Sequence, residues 1–383
     1  MTSPPPPKGK LALVFSGGGA KGAFGVGVLW EIARSRPSLR WDIVCGTSTG
    51  ALIAPFAALG VDDPTAIEEL RSVYLNARKR RIVQSNFGLR GILGLVRGVP
   101  DGIYNLDPLR ELVDRHLGPD RMRRLADSRV ATIVNAVSLQ TGEVVLCTQD
   151  RHRPAIEAWF RERAATASMP RHRVLPFSRF RKAMVASASI PGAIEPVEMD
   201  GEQLVDGGVV DIAPLRAAIA AGATRILAVL MSPRRSPPNP ARAENPLAVA
   251  LRATDLLTDE ILRNDLEYAL QVSDLQALAT SLVAEEGALP PGTAGCVRSL
   301  RPLLDRLVRK TSVELAVLEP PLPLGDTLDF DSEVPRGWPE PVRPGQKANV
   351  MEARFEAGVR AAAAALRKEE VPSLISPFEG GAP

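Results

Sequence analysis

Ser48 stands at the centre of Gly46-Thr47-Ser48-Thr49-Gly50, a G-x-S-x-G run able to present a nucleophilic hydroxyl. Ile43 to Cys45 before it reads as a short apolar strand, and the small apolar residues that follow, through Gly60, suit a buried helix. In so tight a strand-to-helix turn, side chains two places either side of the serine would strike neighbouring backbone, hence Gly46 and Gly50. The serine then projects at a helix N-terminus, where developing negative charge is favoured. The chemistry this permits is attack on an acyl carbonyl.

Such an attack needs an oxyanion hole. Gly17-Gly18-Gly19-Ala20-Lys21-Gly22 follows an apolar run, Leu11 to Ser16, and opens a helical segment from about Ala23 to Arg34. It satisfies G-x-G-x-x-G, so a dinucleotide site is one reading. That reading needs an acidic residue at the end of the second strand, and here Asp42 precedes the strand while its end runs into Ser48. A phosphate-binding P-loop is excluded by the missing Gly-Lys-Ser/Thr ending. Successive glycine N–H groups aimed at one oxygen explain the loop better, with Gly17, Gly18 and Gly19 as donors. Lys21 either adds positive potential or is a solvated first-turn lysine.

The serine also needs a base. His116, His152 and His172 are the chain's histidines, and none follows Asp206 as the order Ser, acid, His would require. His152 and His172 each lie between arginines, which depress an imidazole pKa, so all three read as solvated surface residues. A carboxylate is left. Asp206 ends the apolar pair Leu204-Val205, and Gly207-Gly208 turn the backbone while leaving the carboxylate accessible. Alone it would be an Asp-Gly turn; beside an elbow serine and a triglycine loop it is the candidate base.

These three elements resemble the patatin-like phospholipase family: the glycine loop its oxyanion motif, Gly46 to Gly50 its nucleophile motif, Asp206-Gly207-Gly208 its aspartate motif. Ala186-Ser187-Ala188-Ser189-Ile190-Pro191 and Asn135 to Gly142 are similar to further family segments, so the likeness covers roughly residues 10 to 220. It implies a Ser–Asp dyad, Ser48 and Asp206, that hydrolyses acyl esters of lipids without metal or organic cofactor. One position departs from the pattern: Ile212 stands where the family commonly has Asn, two residues before Pro214, with Asp211 beside it.

The positioning elements alternate. Further strands are expected at Arg129 to Val137, Glu143 to Cys147, Thr224 to Met231 and Ser312 to Leu318. The second of these returns from the first through a turn containing Thr141-Gly142. Helical periodicity marks Asp107 to Leu117, Leu247 to Leu270 and Val350 to Lys368, with Pro-rich loop from Ser232 to Pro246. The expected fold is α/β, a three-layer sandwich with a mainly parallel central sheet. Residues 10–370 form one domain with a helical insertion at about 62–127; residues 1–9 and 371–383 are expected to be flexible.

The chain has 383 residues, enough for such a domain, and a net charge of +3, too small to suggest a nucleic-acid partner. Cys45, Cys147 and Cys296 are odd in number and widely spaced, which argues against a disulfide framework. Without a secretory h-region or a long apolar span, the expectation is cytoplasmic, with peripheral membrane association. Arg78-Lys79-Arg80-Arg81 opens a stretch to Gly98 without acidic residues but with Phe87, Leu89, Ile92 and Leu93. Two compatible readings stand: contact with an anionic lipid surface, or a cap over the site. The function expected is hydrolysis of a fatty-acyl ester of a phospholipid or lysophospholipid. The alternatives are acyl transfer through the same acyl-enzyme and a non-enzymatic lipid-binding module. Oligomeric state is left open.

Overall fold

Alternate residues of the first strand serve two different cores. Leu11, Leu13 and Phe15 pack on one side of it, Ala12 and Val14 on the other, all fully buried. Strands covered on both faces have no polar positions to spare, which is why this run reads as continuously apolar. The same division recurs at Leu227 and Val229 against Ile226 and Ala228.

The computed structural model describes residues 9–86, 102–164, 171–235, 242–243, 246–286, 290–308, 313–334, 349–368 and 370–375. In chain order the elements are β1 (Lys10–Phe15), α1 (Gly22–Ser35), β2 (Ile43–Thr47), α2 (Thr49–Leu59), α3 (Thr65–Leu75) and α4 (Lys79–Ile82). A two-residue pairing of β3 (Gln84–Ser85) with β4 (Tyr104–Asn105) precedes α5 (Asp107–His116) and α6 (Pro119–Asp127). Then come β5 (Ala131–Ser138), β6 (Val144–Cys147), α7 (Arg153–Ala164), β7 (His172–Leu175), α8 (Phe180–Ser187), β8 (Val197–Met199) and β9 (Glu202–Asp206). The last third holds α9 (Leu215–Ala220), β10 (Ala223–Val229), α10 (Pro246–Ala284), α11 (Pro291–Val308), β11 (Glu314–Leu318), α12 (Val350–Ala365) and α13 (Glu370–Ile375).

The main sheet has nine strands, with β11-β10-β1-β2-β5-β6-β7 in order and β9 and β8 branching from β5. From β11 to β5 every pairing is parallel. Antiparallel contacts are confined to the hairpin β5–β6 and to β9, which pairs with β5 and β8. Helices α1, α2, α3, α8 and α12 contribute to one core, and α7, α9 and the middle of α10 to the other. The fold is therefore the expected three-layer α/β sandwich with a mainly parallel sheet.

Three expectations change. The helix read as Leu247 to Leu270 runs from Pro246 to Ala284, and α11, which carries Pro302, returns against it. Their contact forms a small separate core of Ala279, Val297 and Leu304. The expected flexible tail begins too early, because Val371, Leu374 and Ile375 are buried on α13. Residues 62–127 do hold mainly helices, but α3 is part of the main core through Ile67 and Leu70. Residues 1–8 and 376–383, where flexible ends were expected, and most of the Arg78 to Gly98 segment, from Phe87 on, lie outside the described residues.

Arg354 on α12 is fully buried and donates to the carbonyls of Leu324 (2.8 Å), Asp329 (2.6 Å) and Asp326 (3.2 Å). It thereby fastens the loop after β11 to the helix layer. Helices α1 and α12 cross at backbone contact: a Cβ at Gly27 would sit 2.0 Å from the Phe355 carbonyl oxygen, and one at Gly358 2.0 Å from that of Phe24. Gly27→Ala and Gly358→Ala should each destabilise the fold by about 1–3 kcal/mol through overpacking. Denaturant unfolding measures this, and wild-type stability in both variants would contradict the close crossing.

Candidate active site

Ser48 joins β2 to α2 with φ 55° and ψ −122°, a left-handed conformation that a serine adopts only where its surroundings impose it. The imposition is steric. A Cβ at Gly46 would lie 2.0 Å from the Gly50 carbonyl oxygen, and one at Gly50 2.4 Å from that of Phe15 on β1. The Ser48 N–H donates to the Ser187 hydroxyl at 2.8 Å, so the last residue of α8, which shares a core with α2, holds the elbow. Ser48 is 4% exposed.

Asp206 arrives from the other direction, at the end of β9, whose antiparallel pairing with β5 sets it opposite Ala136. Its N–H donates to the Ser189 carbonyl at 2.9 Å, and its carboxylate accepts the Gly208 N–H at 2.8 Å. Burial raises the carboxyl pKa to about 6, against the lowering effect of hydrogen bonds from the Ser48 hydroxyl and the Gly208 N–H. The structure thus brings Ser48 and Asp206 to the wall of one cavity.

Behind this pair the turn is supported by two residues of the motif segments to which the sequence reading assigned no role. Asn135 on β5 donates to the Asp211 carbonyl at 2.9 Å, and the Thr47 hydroxyl donates to the same oxygen at 3.0 Å. Asn135 also fills the space beside Gly207, where a Cβ would be 2.6 Å from its Oδ1. Ile212 takes an apolar role instead, its Cδ1 lying against Gly17 and Gly208. A buried Asn within an otherwise apolar strand was the available signal for Asn135, since a lone polar side chain there must find partners.

The glycine loop supplies fewer donors than expected. Gly17 N–H is committed to the Ile212 carbonyl at 2.9 Å, so it is not free for an oxyanion, and Ala20 N–H donates to Thr327 at 2.7 Å. Gly18 and Gly19 N–H make no hydrogen bond among the described residues. Gly19 has φ +55° with its Cα close to Thr327, a position that no side chain would fit. Gly22 packs equally closely on Thr49. Lys21 is buried, not solvated: its Nζ lies 3.2 Å from Ser232 Oγ and 3.8 Å from Asp255 Oδ1.

Two cavities meet at Ser48. One, about 880 Å³ including its mouth, is almost wholly apolar and is walled by Leu52, Phe56, Leu70, Leu109, Val113 and Met184, among others. The other, about 620 Å³, runs past the glycine loop and Asp206 to the N-terminal half of α10 and is more polar. Ile82 and Val83, next to the basic run, line the apolar cavity, and Lys79 N–H is fixed to Asp331 at 3.2 Å. At its described end, the basic segment therefore packs as part of the cap.

The histidines are half-buried, not free on the surface. His116 lines the apolar cavity with Nδ1 2.5 Å from Glu69, which also binds Arg121. His172 stacks on Phe160 at 3.9 Å. His152 is partly buried, its pKa lowered first by burial and then by Lys10 and Arg151.

Asp211 has a different fate from Asp206. Its carboxyl is buried, one oxygen has no hydrogen-bond partner, and burial raises its pKa to about 7 with help from Asp265. The folded state therefore holds this proton more tightly than the unfolded chain. The resulting stabilisation is full in acid and is lost as pH rises through about 7. Asp211→Asn, neutral at every pH, should melt above the wild type at about pH 8, with the gap closing toward about pH 4. A gap independent of pH would show that Asp211 is not protonated in the fold.

Comparison with known proteins agrees with this geometry. A family model described as Patatin-like phospholipase matches residues 13–219, more than half of the chain. The "cGAMP-activated phospholipase" of Escherichia coli is 31% identical over 141 residues, covering 34% of this chain and 37% of that protein. An uncharacterized NTE family protein of Mycobacterium tuberculosis is 28% identical over 261 residues, 65% of this chain and 58% of that one. The chain thus spans between about a third and three fifths of the length of these curated relatives. The crystal structure of VipD from Legionella pneumophila aligns with 94% of this chain and 67% of that one at 13% identity, with a TM-score of 0.38. By the match over residues 13–219, the chain belongs to the patatin-like phospholipase family.

Proposed function

We propose that the chain is a serine lipid acyl hydrolase of the phospholipase A or lysophospholipase type, working through a Ser48–Asp206 dyad and an acyl-enzyme. The observation that carries this reading is the position of Ser48, at the junction of an apolar and a polar cavity and sharing the polar one with Asp206. The apolar cavity takes the acyl chain, which places the ester carbonyl at the nucleophile.

Asp206 accepts the proton of Ser48 as Oγ attacks the carbonyl carbon. The carbonyl oxygen becomes an oxyanion that the free N–H groups of Gly18 and Gly19 stabilise, helped by the N-terminus of α2. Collapse expels the alcohol, which takes the proton from Asp206 and leaves Ser48 acylated. Water then attacks, losing its proton to Asp206, and the fatty acid departs as Ser48 recovers its proton. Asp206 suits both directions, since a pKa of about 6 leaves it ionised near neutrality yet basic enough to take a proton. No histidine is needed: His116 is engaged by Glu69, and His172 is stacked on Phe160.

This gives a pH dependence with a definite sign. Only the Asp206 carboxylate is active, so kcat/KM on a soluble ester should fall with one protonation below about pH 6. Ser48→Ala and Asp206→Asn should each lose several powers of ten in rate, whereas replacing His116, His152 and His172 together with Gln should keep most turnover. Steady-state rates with circular dichroism as the fold control decide this. A dead triple variant beside an active Asp206→Asn would overturn the dyad.

Among the described residues no helix is long and apolar enough to cross a membrane. We place the substrate at an anionic lipid surface, approached by Arg78, Lys79, Arg80 and Arg81. Neutralising these four should lower turnover on anionic vesicles at low salt while sparing a soluble short-chain ester, each charge being worth about 1 kcal/mol near such a surface. Equal vesicle turnover in the two proteins would leave the run as cap structure alone.

A further inference from the structure

With the acyl chain in the apolar cavity, the alcohol half of the ester must occupy the polar one, because Ser48 borders both. This step rests on the hydrolase reading above. The far wall of the polar cavity is the N-terminal half of α10, beyond the residues that the family model matches. Besides Asp206, the charged side chains lining it are Lys21, Asp255 and Asp259.

These three are not equivalent. Asp255 is already occupied: it accepts the Thr327 hydroxyl at 2.8 Å and lies 3.8 Å from Lys21 Nζ. Lys21 is buried at the foot of the glycine loop, where it also donates to Ser232 at 3.2 Å. Asp259, one helical turn beyond Asp255, makes no hydrogen bond or ion pair among the described residues although it is partly buried. Burial raises its pKa and the Asp255 charge adds to the rise, while Lys21, Arg252 and Arg263 pull it back. Arg263 is itself paired with Glu260 at 3.1 Å. The cavity therefore offers one buried cation, shared with Asp255 and Ser232, and, beyond it, a carboxylate without an ion pair among the described residues.

We propose that Lys21 and Asp259 read the head group, and that the preferred substrate carries a zwitterionic amino-alcohol phosphate on its alcohol half. The phosphate faces Lys21, and the ammonium group meets Asp259. An anionic head without an ammonium leaves Asp259 unpaired and faces a like charge in a partly desolvated space, which costs binding. Asp259 is thus a specificity-determining residue.

The test uses mixed micelles of a neutral detergent with phosphatidylcholine or phosphatidylglycerol of identical acyl chains. Fatty-acid release from each is divided by the same protein's rate on p-nitrophenyl butyrate, which has no head group. The wild type should prefer phosphatidylcholine. Asp259→Asn should lower the choline-to-glycerol ratio about tenfold, the equivalent of about 1.4 kcal/mol, and Asp259→Lys should invert it. Glu260→Gln, which removes the same charge from an exposed neighbouring position, should leave the ratio where it was. A wild type that prefers phosphatidylglycerol, a ratio unmoved by both Asp259 variants, or an equal shift from Glu260→Gln would each overturn the assignment. In those cases butyrate hydrolysis would show the hydrolase reading intact. A wild type inert toward all three esters would remove that reading and this inference together.

Discussion

Taking the Asp206 carboxylate out of water, with the Gly208 N–H as its hydrogen-bond partner and Ser48 on the same cavity wall, is the constraint on which the proposed site depends. An exposed aspartate would be too weak a base to deprotonate a serine, and a fully isolated one would stay protonated. Burial raises the pKa and two hydrogen bonds restrain it, so it settles near 6. Maintaining that balance requires two chain segments from opposite directions, β2 into α2 and β9 into its turn, to meet within hydrogen-bond reach. The strained φ of Ser48, its anchor on Ser187 and the Asn135 support under Asp211 are all consequences of holding that meeting point.

Much of this was legible in the sequence because tight turns restrict residue choice. Gly46 and Gly50 are forced by backbone contacts of 2.0 and 2.4 Å, and Gly207 by the side chain of Asn135, so these glycines signal geometry directly. Buried parallel strands were legible for a similar reason, since both faces are covered. The partners of those elements were not legible. That Gly17 N–H is used by Ile212, leaving Gly18 and Gly19, depends on a contact between segments nearly two hundred residues apart, which no local pattern encodes. The histidines failed the same way: flanking arginines suggested solvent, but Glu69 and Phe160 came from elsewhere in the fold. The tail was misjudged because Val371, Leu374 and Ile375 look like an unsupported apolar remnant until β10 and β11 are there to cover them.

The chain divides chemically where the family match ends. The proposed nucleophile, the proposed base and the glycine loop all lie within residues 13–219, while α10 and the loop after β11 lie outside. Those later elements reach back into the site through polar ties as well as apolar packing, Leu328 and Phe330 lining the apolar cavity and Leu251 and Leu262 the polar one. Ala20 is bonded to Thr327, Thr327 to Asp255, and Asp255 faces Lys21, while Arg354 secures the loop from below. On the proposed reading the matched part supplies the reaction, and the later part helps to wall both cavities beside Ser48.

The identity of the nucleophile is tested most directly by covalent capture. The protein is incubated with a fluorophosphonate, digested, and the modified peptide mapped by mass spectrometry. The expected result is one label per chain on Ser48, suppressed by prior addition of phospholipid and slowed in Asp206→Asn. A label on Ser16 or Ser189, or one on Ser48 that forms equally fast without the Asp206 carboxylate, would contradict a dyad built on the burial of that carboxylate.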